Sequence, residues 1–97
     1  MYRRRLAADA GMLFVFPTES DQQFWMKDTP LPLDMVFIGK QRHIVGIVSE
    51  ARPFTTNPLG VGVPSQYVLE VNGGFCARHG ITTGDAVEFV RIFNTAR

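Results

Sequence analysis

The stretch Leu33-Asp-Met-Val-Phe-Ile38, followed by Gly39-Lys-Gln-Arg42 and His43-Ile-Val-Gly-Ile-Val48, decides the fold. Side chains of an extended chain alternate between faces, so Leu33, Met35 and Phe37 share one face while Asp34, Val36 and Ile38 share the other. Gly39 to Arg42 supplies a turn and the β-branched run after it a partner strand, which makes this the clearest hairpin in the chain.

Working downstream, Ser49 to Ser65 carries Pro53, Pro58 and Pro64 with Gly60 and Gly62, and reads as a long irregular loop. Loops longer than about 12 residues in a compact domain are usually functional or mobile, so residues 49–65 are the first suspect for a site rim. Tyr67 to Val71 is a further strand, ended by Gly73-Gly74. Phe75 to His79 is a short helix with Gly80 in the left-handed position past its end. Ile81 to Asp85 is a turn, with Asp85 bonding nearby backbone, and Ala86 to Phe93 is a last strand whose parity changes between Phe89 and Val90, predicting a bulge.

Working upstream, Met12-Leu-Phe-Val-Phe16 is an unbroken apolar run closed by Pro17, the pattern of a central strand buried on both faces. Phe24 to Thr29 reads as a short strand that leaves through Pro30 and Pro32. At least five strands and one short helix result. The expected architecture is mainly β: one domain over residues 1–97, an antiparallel sandwich or a jelly-roll-like, partly open barrel.

Composition sets the outer limits. Ninety-seven residues bury one core, and 45% hydrophobic with 11% aromatic residues argues for a folded chain. A net charge of +1 and no basic patch interleaved with aromatics argue against nucleic acid as a partner. No apolar run approaches the roughly 18 residues of a membrane span, and the N-terminus has no apolar core of a signal peptide, so a soluble chain is expected. The one cysteine, Cys76, cannot close an internal disulfide or build a thiolate metal site. His43 and His79 lie far apart, no metal-ligand spacing is present, and nothing calls for a cofactor.

Gly11-Met-Leu-Phe-Val-Phe16, Phe24-Trp-Met-Lys-Asp-Thr29 with Pro32-Leu-Asp34, Tyr67-Val-Leu-Glu70, and Gly80-Ile-Thr-Thr-Gly-Asp85 resemble, in that order, the bacterial family catalogued as domain of unknown function 192. The second motif is the specific one. The resemblance spans nearly the whole chain and implies a compact jelly-roll-like β fold without an established activity, in an exported, extracytoplasmic protein. Two departures stand out. Position 28 is Asp where the family typically has Asn, and Met1-Tyr-Arg-Arg4 resembles an internal stretch normally preceded by a strand and the start of a helix. An N-terminally truncated chain is therefore expected, with Arg3, Arg4 and Arg5 inside a helix. The sheet edge so exposed would invite a homodimer or strand swapping.

A few residues carry the functional question. Trp25, between Phe24 and Met26, reads as a core anchor by its size, or as a ligand-stacking platform if it is exposed beside the long loop. Asp34 and Glu70 are carboxylates inside apolar strands and need partners, for which Lys27 is the nearest candidate. The tentative ligand-binding set is Trp25, Lys27, Asp28, Asp34 and Glu70. There is no nucleophile with a base and an orienting group, so no catalytic residue is assigned. The favoured reading is a non-catalytic module binding a small polar ligand or glycan of the cell envelope. The alternatives are a hydrolase using Asp34 and Glu70 about 5–10 Å apart, and a structural partner-binding domain marked by an exposed apolar patch.

Overall fold

Strands β2 (Leu33–Ile38) and β3 (Ile44–Ala51) form the expected hairpin in the computed structural model, which describes residues 11–89. With β1 (Gly11–Ser20) and β4 (Ser65–Asn72) they make one antiparallel four-stranded sheet in the order β1-β4-β2-β3. One short helix, α1 (Phe75–Arg78), follows β4 directly. The protein is mainly β, as the sequence predicts. No helix among the described residues is long and apolar enough to cross a membrane.

All of β2 is buried, and its parity divides the core in two. Leu33, Met35 and Phe37 join Met26, Ala51 and Val68 on one face; Val36 and Ile38 join Ile44, Val71 and Cys76 on the other. Loops cover the first face. The second is covered by α1 and the segment 81–89, which contributes Ile81, Val87 and Phe89.

Two strand assignments are corrected. Among the described residues Met12 to Phe16 belongs to an edge strand and not a central one: β1 pairs there only with β4 and buries no residue fully. An unbroken apolar run cannot distinguish two-sided burial from one-sided burial with an apolar outer face. Here Phe14 and Phe16 turn inward and Val15 outward. The strand also runs past Pro17, which falls where the β1–β4 register shifts between Val15 and Ser20, a place with no ladder hydrogen bond to lose.

The second correction concerns residues 24–29, which form no strand. Phe24 makes an isolated bridge with Leu59, and Met26 to Thr29 closes a turn through Thr29 N–H to Met26 C=O, 3.1 Å. Of the predicted last strand, the described part is a single bridge between Ala86 and His43, helped by Ile44 N–H to Asp85 C=O and Val87 N–H to Arg42 C=O. The predicted bulge at Val90, Arg3 to Arg5 and the expected truncation lie outside the described residues. Helix α1 agrees with expectation, including Gly80 at φ 65° just past its end.

Candidate functional site

The specific motif of the sequence folds as an anchored loop. Phe24 is held among three rings, with centroids 5.2 Å from Phe14, 6.0 Å from Phe16 and 6.2 Å from Phe37, all edge to face. Met26, two residues on, is fully buried. With Phe24 and Met26 directed inward, the residue between them points out, and Trp25 is 55% exposed. The core-anchor reading of Trp25 is thereby replaced: the smaller Phe24 takes the core position, because three rings already line it.

The long loop runs antiparallel to this segment and is stitched to it at both ends. Phe24 N–H donates to Leu59 C=O (2.8 Å), Leu59 N–H to Phe24 C=O (2.7 Å), and Phe54 N–H to Thr29 C=O (3.1 Å). Leu59 and Val61 pack on the core beneath. The result is a closed pair of segments, 24–29 and 54–59, that carries the exposed side chains of Trp25, Lys27, Asp28 and Phe54. Lys27, Asp28 and Arg52 are exposed and hold no ion pair among the described residues, and the Trp25 indole N–H has no acceptor there.

Phe54 is a residue that sequence reasoning missed. Arg52 to Thr55 is a turn closed by Thr55 N–H to Arg52 C=O (3.4 Å), with Pro53 at its second position and Phe54 at φ 60° at its third. That third position favours glycine, and a left-handed conformation at a residue with a Cβ costs about 1–2 kcal/mol. Phe54 is nonetheless 56% exposed and absent from both core clusters. The available signal was Pro53 followed by a bulky aromatic within a polar loop.

Asp34 and Glu70 are placed elsewhere, and apart. Glu70 pairs in register with Met35, whose side chain lies on the loop-covered face, whereas Asp34 pairs with Val71, whose side chain lies on the helix-covered face. The two carboxylates therefore project from opposite faces of the sheet. Asp34 is fully buried and its partners are backbone, not Lys27: Oδ1 accepts from Glu50 N–H (2.8 Å) and Gly74 N–H (3.0 Å), and Oδ2 from Cys76 N–H (2.9 Å). Glu50, at φ 49°, is the extra residue of β3 between the Leu33–Ala51 and Met35–Val48 pairs, so Asp34 satisfies an N–H that the bulge takes out of the ladder.

Burial raises the Asp34 pKa, but these N–H donors and the Cys76 thiol together bring it below the ordinary carboxylate value. The Cys76 thiol is pushed up to about 11, by burial first and by the Asp34 charge second. Neither group offers a poised acid, base or nucleophile near neutral pH.

A cavity of about 300 Å³ lies on the helix-covered face, among Val36, Ile38, Leu69, Val71, Phe75 and Ile81. None of the predicted site residues lines it. Two of its polar members are already engaged, Asp85 with Thr82 N–H (2.9 Å) and Cys76 with Asp34.

A family described as uncharacterized ACR, domain of unknown function 192, matches residues 1–89. The chain is also similar to two crystal structures. One is of a protein of unknown function from Novosphingobium aromaticivorans, at 40% identity and a TM-score of 0.87 over 92% of this chain. The other is of a Sinorhizobium meliloti protein described as a candidate transcription regulator, at 43% identity and a TM-score of 0.86 over 91% of this chain. This chain spans 64% of the first relative's length and 68% of the second's. A search of curated proteins gives no match.

Proposed function

The chain belongs to the uncharacterised family catalogued as domain of unknown function 192, and on that premise we propose that it is a non-catalytic binding module whose stitched loop pair takes up a small polar ligand or glycan. The observation that carries this is Trp25, 55% exposed on a segment whose neighbours Phe24 and Met26 are locked into the core. An exposed indole held on a rigid base offers a flat apolar face with a free N–H at its edge, which suits a ligand with one apolar and one polar side, such as a sugar ring. Lys27, Asp28 and Arg52, uncommitted among the described residues, are near enough in sequence to serve its hydroxyl or charged groups.

Asp34 and Glu70 drop out of the binding set, since Asp34 is spent on backbone donors and the two face away from each other. A hydrolase built on both would need them on one substrate, and their placement speaks against it. A role in transcription, suggested by the description of the Sinorhizobium relative, finds no support in a net charge of +1. An extracytoplasmic location accords with a cell-envelope glycan and rests on the family resemblance.

The test uses the one tryptophan as reporter. Acrylamide is expected to quench Trp25 readily, and a panel of envelope sugars to include at least one that suppresses quenching. Ready quenching that no sugar changes would remove the glycan reading and leave the partner-binding alternative.

A further inference from the structure

We propose that the cavity on the helix-covered face is a second binding site, independent of the loop pair, for a small amine with an apolar body. Its walls are Val36, Leu69 and Val71 of the sheet and Phe75, Ile81 and Val87 of the cover, around a volume of about 300 Å³. The cover is too short to fill the face: the four residues of α1 rise about 6 Å, whereas the six of β2 extend about 20 Å. Both ends of the cover are pinned. Asp34 accepts from Gly74 N–H and Cys76 N–H at α1. The segment after α1 is bonded to the start of β3 through Gly84 N–H to Ile44 C=O (2.8 Å) and Ile44 N–H to Asp85 C=O (2.9 Å). Backbone hydrogen bonds therefore hold the space before any ligand arrives, and it reaches the surface at Ala86 and Glu88, which line it and are exposed.

Size and charge select the occupant. An apolar cavity of about 150 Å³ accepts one benzene ring, so about twice that volume suits a ring with a short chain attached. Among the described residues lining it, the charged side chains are Asp85 and Glu88, both acidic. Asp85 is half-buried, and the Thr82 N–H occupies one carboxylate oxygen, Oδ2 (2.9 Å), leaving Oδ1 without a partner among the described residues. Arg42 and His79 lie against the rings of Phe89 and Phe75 and pair with neither carboxylate. A partly buried carboxylate with an uncommitted oxygen at an apolar wall is under-compensated. An ammonium group on an apolar body supplies the missing charge-assisted bond, whereas an anionic head would meet two like charges.

The test measures, by calorimetry and methyl NMR, the binding of phenylbutylamine, butylbenzene and phenylbutanoate, which share one body and differ in the head. The parent is expected to bind the amine about tenfold more tightly than butylbenzene, one charge-assisted hydrogen bond accounting for the difference, and the anion most weakly. Shifts should fall on the methyl groups of Val36, Leu69, Ile81 and Val87, while Trp25 emission stays unchanged. Asp85→Asn keeps an oxygen for the Thr82 N–H and should bind the amine no better than butylbenzene. Ile81→Trp fills the space from the cover and should weaken all binding by about tenfold or more. Butylbenzene or the anion binding the parent as tightly as the amine, or an amine preference kept by Asp85→Asn, overturns the choice of ligand. No binding of any probe, shifts away from those methyl groups, or undiminished binding by Ile81→Trp overturns the site itself. The methyl shifts of the parent decide this whether or not Ile81→Trp folds, and no outcome here bears on Trp25.

Discussion

At the scale of the residue, Asp34 shows how a misfit in the sequence becomes a structural device. A carboxylate in the middle of a buried strand is a conspicuous misfit, and its need for partners is legible from the pattern alone. Their identity is not, because the three N–H donors come from a bulge and a helix start that exist only in the folded chain. Asp34→Asn keeps the size but turns an NH2 group toward at least one of those donors, and should destabilise the protein by about 3 kcal/mol in urea unfolding. Unchanged stability would deny the carboxylate this role. Because its folded pKa lies below its unfolded value of about 3.9, the contribution is full above that pH and is lost as pH falls through the folded pKa. The Asn variant should therefore lose less stability than the parent on acidification below about pH 4.

At the scale of the element, the site depends on the long loop lying tightly across β3. Gly46 makes that contact: a Cβ there would meet the Val61 Cβ at 2.6 Å, closer than carbon atoms pack, and Val61 belongs to the packed underside of the loop. Gly46→Ala must push the loop outward and should cost about 1–3 kcal/mol. Its urea midpoint should fall and Trp25 should become easier to quench, since the loop is stitched to the Trp25 segment. An unaltered midpoint would show that the contact yields freely. The loop's length and prolines identify it as a functional candidate, but its seat on a strand glycine depends on a contact between Gly46 and Val61, which no local pattern encodes.

At the scale of the whole molecule, one sheet serves two cores. Phe37 and Ile38 are adjacent in β2 yet bury themselves on opposite faces, at 0% and 1% exposure. If the sheet couples the cores, Phe37→Ala and Ile38→Ala, each removing about 2–5 kcal/mol, should lower the midpoint of the same single transition, with far-UV circular dichroism and Trp25 fluorescence coinciding. Separate transitions for the two probes in either variant would mean that the faces unfold independently.

The mainly β class, the hairpin, the facing of β2 and the short helix were all readable from the sequence, because a period of two and a glycine stop are local consequences of backbone geometry. The same alternation separated Trp25 from Phe24 and Met26, but it could not say which set faces the core. Only the tertiary structure decided that, through the rings of Phe14, Phe16 and Phe37 that converge on Phe24 from two strands. Among the described residues it likewise placed β1 at the edge of the sheet, set Asp34 and Glu70 on opposite faces and brought Phe54 beside the Trp25 segment. Each of these depends on contacts between residues distant in the chain, whose free energy no local pattern contains.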